Sequence, residues 1–146
     1  MSIESLLIDL DPLTWSKETS FKSWSPEIII SHLLYFDRMT IYSHQDKNKF
    51  NREASFLFKA FSNETNSLKR AKLVFDRLAI HEQSSMIDAW KKSNQEMTTI
   101  FQGVDPDERC QWFGPDMSAL MFMIARYMET WSVSYTHLRA HETGYN

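Results

Sequence analysis

Apolar residues recur at helical spacing along most of the chain, which predicts a protein built from α-helices. The strongest helix start is the segment Ser25-Pro26-Glu27. Serine caps free backbone N–H groups, proline has no N–H to lose at the first position, and glutamate favours the positive end of the helix dipole. We therefore expect a helix over residues 26–43. Its apolar row consists of Ile28, His32, Tyr35, Phe36 and Met39.

Further helices are predicted on both sides of this one. Residues 2–10 are expected to form the last turns of a first helix. Residues 47–80 predict one or two helices, and residues 82–101 predict another that ends before Gly103. A last helix is expected to start near Asp116 or Ser118 and to continue to residue 132.

These stripes of apolar residues predict how the helices pack. We expect the 26–43, 82–101 and 117–132 helices to lie together, with the 47–80 region inserted as additional helices. The predicted core consists of Ile29, Leu33, Phe36, Trp90, Met97, Leu120, Met121, Ile124 and Met128.

The composition supports a single all-α domain. A chain of 146 residues is long enough for one apolar core. The sequence has only 3 Gly and 4 Pro, and so few turn residues argue against a sandwich or barrel of short strands.

Charge and cysteine content narrow the classes of function. With 19 acidic and 16 basic residues the net charge is −3, so the sequence lacks the basic surface that nucleic-acid binding requires. The single cysteine, Cys110, has no partner for an internal disulfide and suits a reducing cytoplasm. We interpret it as a plain buried or half-buried thiol rather than a nucleophile. The longest apolar run, residues 119–125, is too short to cross a bilayer. We expect a cytoplasmic protein that binds neither nucleic acid nor membrane.

Candidate chemistry lies in the last helix. Glu129 and position 133 are one helical turn apart, a spacing that lets two side chains bind one metal ion, and His32 projects from an earlier apolar helix. Each residue also has a simpler interpretation. Glu129 can form an ordinary ion pair with Arg126, and His32 can be a core histidine bonded to backbone or water. His44 and His81 have no partner at a useful spacing and are interpreted as surface or loop histidines.

Three segments together resemble one family. Residues 24–37 carry a His-Leu-x-x-x-Asp block, residues 112–118 a Gly-Pro-x-Met-Ser block and residues 126–132 a Met-Glu-Thr-Trp block. In this combination they resemble the DinB-like metal-binding domain of the mycothiol-dependent maleylpyruvate isomerase family, over roughly residues 5–132. The resemblance implies a four-helix bundle, here with extra helices between the second and third bundle helices.

The resemblance also implies a set of metal ligands. In the family the metal is held by a histidine on the second helix and a Glu-x-x-x-His pair on the last, and we expect a divalent ion such as zinc in this chain. His32 falls on the first position and Glu129 on the second, whereas the third falls on Val133, which has no lone pair to donate. We expect the side chains of His32 and Glu129 to converge within reach of a shared ion. Arg126 should then point away from Glu129 or toward another carboxylate such as Asp37 or Asp116.

Residues 133–146 differ from the rest of the chain. The run Val-Ser-Tyr-Thr-His-Leu-Arg-Ala-His-Glu-Thr resembles translated sequencing-adapter readthrough. We therefore expect residues 1–132 to form a metal-binding helical domain that is truncated at its C-terminal end, and residues 133–146 to be a non-native tail. His137 lies about 12 Å from Glu129 along a continued helix, so we do not expect His137 or His141 to complete the site.

The resemblance implies an enzyme in its full-length form. Two histidines and one glutamate would leave an open position on the metal, as in catalytic rather than structural zinc sites. The implied activity is thiol-dependent isomerisation or transfer on a small electrophilic substrate, and this fragment is expected to be inactive. The composition, rich in Lys, Asn and Ile, is unlike that of the high-GC actinobacteria that make mycothiol, so the identity of a low-molecular-weight thiol stays open.

Two classes of function stay open from the sequence. The first is a metal-dependent enzyme domain that acts on a small-molecule substrate and is followed by a second, C-terminal domain. The second is a non-catalytic helical module that binds a ligand or forms a homodimer without a functional metal.

Overall fold

The computed structural model describes residues 7 and 9–132, and these residues form an almost entirely helical architecture. The helices are α1 (Pro12–Trp15), α2 (Pro26–Gln45), α3 (Lys47–Ser62), α4 (Ser67–Leu78), α5 (Gln83–Gln102) and α6 (Ala119–Ser132). Two short strands, β1 (Arg109–Cys110) and β2 (Met117–Ser118), pair antiparallel before α6. The all-α class and the predicted order of helices are confirmed, with the 47–80 region divided into two helices. The helix predicted over residues 2–10 lies mostly outside the described residues.

Helix α2 begins where the sequence predicts and is the centre of the fold. The Ser25 hydroxyl accepts a hydrogen bond from the Ile28 N–H at 3.2 Å, and Pro26 occupies the first turn. Helix α2 packs most extensively against α5 and also contacts α3, α4 and α6. Helices α3 and α4 are therefore inserted between the bundle helices α2 and α5, as predicted. None of the described helices is both long and apolar enough to span a bilayer.

Five of the predicted core residues pack as expected. Ile29, Leu33, Trp90 and Met97 are buried, and Phe36 is partly buried against the cluster formed by α2, α3 and α4. These residues line the contact between α2 and its neighbours, where their removal from water provides the main driving force for folding.

The last helix, α6, presents a different face to the core from the one predicted. Leu120, Met121, Ile124 and Met128 were predicted to be buried, but they are between 46% and 53% exposed. The buried residues of α6 are instead Ala119, Phe122 and Arg126. Because apolar residues occur all around this helix, their spacing did not distinguish its inner face from its outer face.

A buried ion pair explains the orientation of α6. The Asp37 side chain in α2 is fully buried, and its Oδ1 accepts a hydrogen bond from Arg126 Nε at 2.9 Å. Its Oδ2 accepts a hydrogen bond from Asn94 Nδ2 of α5 at 3.1 Å. Burial raises the pKa of Asp37, and the charge of Arg126 acts in the opposite direction. A buried carboxylate without such partners is very unfavourable. Helix α6 is therefore oriented with Arg126 facing the core, and its most apolar stripe faces outward.

Replacing Arg126 by methionine should therefore destabilise the fold. The variant leaves Asp37 buried without its cation, and such a loss costs about 3–5 kcal/mol in the free energy of unfolding. Urea unfolding followed by circular dichroism measures the change.

Two further variants make this test specific. The double variant Asp37→Leu/Arg126→Met removes both charges and should recover most of the lost stability. Glu129→Gln keeps the Asp37–Arg126 pair and should destabilise the protein much less. A loss under about 1 kcal/mol in Arg126→Met would contradict the assigned role of the pair.

Candidate metal centre

The two predicted metal ligands meet in space. His32 lies in α2 and Glu129 in α6, 97 residues apart in the chain, and His32 Nε2 is 3.1 Å from Glu129 Oε1. Both side chains are partly buried, with 27% and 40% of the side-chain surface exposed. The predicted convergence of these side chains is confirmed, whereas their binding of a metal stays a prediction.

The second carboxylate oxygen of Glu129 accepts a hydrogen bond from Arg126. Arg126 Nη1 donates to Glu129 Oε2 at 2.6 Å while its Nε donates to Asp37. Arg126 therefore points toward Asp37, as expected, but it also keeps the ion pair with Glu129, and the expectation that it would leave Glu129 is wrong. Burial alone would raise the pKa of Glu129, but the hydrogen bond with His32 and the charge of Arg126 outweigh this effect and lower it. The carboxylate is thus held ionised, the form that binds a cation.

The donor chemistry of this pair fits two positions of a zinc site. Zinc binds imidazole nitrogen and carboxylate oxygen at about 2.0–2.2 Å, so two donors on one ion lie roughly 3–4 Å apart. The two carboxylates and one guanidinium leave the cluster of His32, Asp37, Arg126 and Glu129 with a net negative charge when the imidazole is neutral. Val133, the third family position, offers no donor atom. Val133, His137 and His141 all lie outside the described residues.

Aromatic rings fix the position of His32. Its imidazole lies against Trp24, with ring centroids 5.2 Å apart, and against Phe36, with centroids 4.7 Å apart. Trp24 follows a tight turn in which Lys22 and Ser23 both have positive φ, and its N–H closes the turn on the Phe21 carbonyl at 2.8 Å. Positive φ at both central residues is typical of a type I′ turn. This backbone conformation favours glycine and asparagine and is unfavourable for lysine and serine. The turn therefore uses a strained backbone to place an indole beside His32.

A cavity opens next to this histidine. It has a volume of about 300 Å³, and its lining residues include Trp24, His32 and Phe36 together with the cationic Lys22 and Arg70. A larger apolar cavity of about 540 Å³ shares Phe36, Phe61 and Arg70 with it. Apolar clefts of this size with a few polar groups are typical of small-molecule sites.

A second group of potential metal ligands lies at the other end of α2. His44, Glu108 and Cys110 each offer a donor atom, and these atoms lie within 4.8 Å of one another. His44 Nδ1 is 2.6 Å from Glu108 Oε2. The interpretation of His44 as a residue without partners is therefore wrong. Cys110 is buried as predicted, but a histidine and a carboxylate are its neighbours in space.

Sequence reasoning found some residues of these sites and missed others. Asn94 donates a hydrogen bond to Asp37, but nothing in the sequence pattern singled it out as a partner of that carboxylate. Glu108 lies in a loop with no periodic pattern, so nothing in its spacing connected it with His44, 64 residues away. Such contacts depend on how the loop before α6 folds back on α2, which spacing along the chain does not encode.

Comparisons with known proteins agree with the resemblance. The family model for the mycothiol maleylpyruvate isomerase N-terminal domain matches residues 2–132 of this chain. Two uncharacterized proteins of Mycobacterium tuberculosis, from strains CDC 1551 / Oshkosh and ATCC 25618 / H37Rv, are each 26% identical over 130 residues. These matches cover 89% of this chain and 48% of each relative, so the chain spans about half the length of the curated relatives it matches.

No solved structure matches the chain. The family match nevertheless covers nearly all of the described residues, and the DinB-like all-α fold is consistent with it. The chain belongs to the mycothiol maleylpyruvate isomerase N-terminal domain family.

Proposed function

We propose that this domain binds a divalent metal ion, best suited to zinc, at His32 and Glu129. We propose further that it takes part in a metal- and thiol-dependent isomerisation or transfer on a small electrophilic substrate. The observation that carries the proposal is the 3.1 Å approach of His32 Nε2 to Glu129 Oε1 from two separate helices. Family membership supports an isomerase-related role.

Each residue of the cluster has a distinct role in this proposal. His32 and Glu129 hold the ion, and Arg126, itself fixed by Asp37, orients the Glu129 carboxylate. Partners of this kind tune metal ligands and orient them. When bound, the metal would lower the pKa of a thiol or water and act as a Lewis acid. Trp24 and Phe36 shield the imidazole on two sides, and the adjoining cavity gives a small molecule access to it.

Arg126 and Thr130 supply further polar atoms on the same helix. Within the described residues, Arg126 Nη2 and Thr130 Oγ1 are buried without a hydrogen-bond partner. Buried donors of this kind are unfavourable unless water or a ligand satisfies them. Because Arg126 also donates to Glu129 through Nη1, its unpaired Nη2 supports binding of a polar ligand near that carboxylate.

The chain as written should bind zinc poorly at this site, and Val133→His should restore tight binding with about one ion per chain. Valine donates no electron pair, and two protein ligands hold an ion far less firmly than three. Calorimetric titration with zinc measures both proteins. The titrations use a Cys110→Ser background, because His44, Glu108 and Cys110 could otherwise bind zinc and obscure the result.

His32→Ala in the Val133→His protein is the matched control. It should remove the restored binding, because the imidazole supplies one of three ligands. The tail histidines are common to all three proteins and cancel in the comparison. Equal weak binding in all three would reject the metal site at His32 and Glu129.

A second candidate function is a self-associating helical module without a functional metal. The exposed face of α6 favours it: Leu120, Met121, Ile124, Tyr127 and Met128 are between 46% and 70% exposed. Monomeric proteins rarely expose a contiguous apolar surface of this kind, which marks interaction sites. The ion pairs of Glu129 with His32 and Arg126 would then serve only to position α6.

If a second copy covers this face, the protein should form a dimer that Ile124→Lys disrupts. A lysine at the centre of an apolar interface loses its hydration, which should weaken self-association by at least about tenfold. Sedimentation velocity over a range of concentrations measures this. Leu13→Lys, at a residue of α1 that is 86% exposed, is the matched control and should leave the dimer intact. A monomer at every concentration would reject self-association through α6.

A further inference from the structure

We propose that His44, Glu108 and Cys110 form a second metal site, selective for zinc-like divalent ions. This site is separate from His32 and Glu129 and does not depend on the function proposed for them. Its three donor atoms already lie within 4.8 Å of one another.

The backbone brings the three side chains together in a defined way. His44 lies in the last turn of α2, whereas Glu108 and Cys110 flank Arg109 at the start of β1. In an extended segment, residues two positions apart point to the same side, so Glu108 and Cys110 can approach one ion together. The ring of His44 lies against Phe101 of α5, with centroids 5.6 Å apart, which restricts its rotation.

Neighbouring hydrogen bonds hold this arrangement in place. Ser43, next to His44, donates to the carbonyl of Gln111, next to Cys110, at 2.5 Å. The carbonyl of Glu108 accepts a hydrogen bond from the N–H of Ala119 at 2.8 Å, which ties the ligand segment to the start of α6. The segment that carries two ligands is therefore attached both to α2 and to α6, and little backbone movement is needed to bind an ion.

Small side-chain movements would complete the geometry. Zinc binds sulfur at about 2.3 Å and nitrogen or oxygen at about 2.0–2.2 Å, so its ligand atoms lie roughly 3–4 Å apart. His44 Nδ1 and Glu108 Oε2, now 2.6 Å apart, would have to separate slightly, while the thiol moves inward. Glu108 can make this adjustment because 44% of its side chain is exposed.

The donor set indicates which ions would bind. A thiolate combined with an imidazole favours zinc, cobalt or cadmium over magnesium and calcium, which prefer oxygen ligands. Three protein ligands would leave one position open to water or to another small ligand. The exposure of Glu108 leaves a route for the ion from solvent.

Cobalt binding to the reduced full chain tests this proposal directly. A cobalt–thiolate bond gives an intense near-ultraviolet charge-transfer band, which histidine and carboxylate ligands alone do not produce. We expect this band to saturate at one cobalt ion per chain and to disappear in Cys110→Ser. His44→Gln and Glu108→Gln should each weaken binding by at least about tenfold, because losing a ligand is at least as severe as losing a residue that orients one.

Matched variants identify the ligands and separate this site from the others. Glu96→Gln, at an exposed position of α5, and His81→Gln should leave the band and the affinity unchanged. His32→Gln should also leave the band unchanged, so failure of either metal site is seen independently of the other. A double His137→Ala/His141→Ala variant should keep the band, since the tail supplies no ligand in this proposal.

Two results would overturn the proposed site. The first is the absence of a charge-transfer band at saturating cobalt. The second is a band that persists with unchanged affinity in both His44→Gln and Glu108→Gln, which would mean that the thiol alone binds cobalt. Glu108→Gln changes only an exposed side chain, so it remains informative even if Cys110→Ser impairs folding.

Discussion

The buried carboxylate of Asp37 is the interaction on which the arrangement of helices depends. It lies in α2, and it accepts hydrogen bonds from Asn94 of α5 and Arg126 of α6. Burial of an ion costs several kcal/mol unless its oxygens are bonded, so both neighbouring helices must present a donor at the right height. Apolar packing draws these helices together, but it tolerates rotation of α6 about its axis. Such a rotation would move Arg126 away from Asp37 and leave the buried carboxylate without its cation.

The ion pair of Asp37 with Arg126 also positions a side chain of the candidate metal centre. Arg126 binds Asp37 with one nitrogen and Glu129 with another, so the group that orients α6 also aims Glu129 at His32. This arrangement has opposing effects on cation binding. Arg126 lowers the pKa of Glu129 and keeps it ionised, but its positive charge lies close to the place a cation would occupy. Asp37 offsets that charge, and the cluster keeps the negative balance that a divalent ion requires.

The two candidate metal sites lie at different points along α2. His32 and His44 are twelve residues apart in one continuous helix, which corresponds to about 18 Å at 1.5 Å per residue. One ion cannot bridge them, and their ligands differ in chemistry. The first offers nitrogen and oxygen beside an aromatic cavity, whereas the second adds a thiol held by the loop that leads into α6. Each proposed site can therefore be tested without the other.

The sequence by itself determined the helical class, the start of α2 at Ser25-Pro26, the inserted helices and the candidate pair His32 and Glu129. These features follow from spacing, capping and motif, which are local properties of the chain. Tertiary structure decided which face of α6 turns inward, because many positions of that helix are apolar and only the distant Asp37 selects Arg126. It also decided the approach of His44 to Glu108 and Cys110. The loop before α6 has no periodic pattern, so its contacts are defined only by the way it packs against α2.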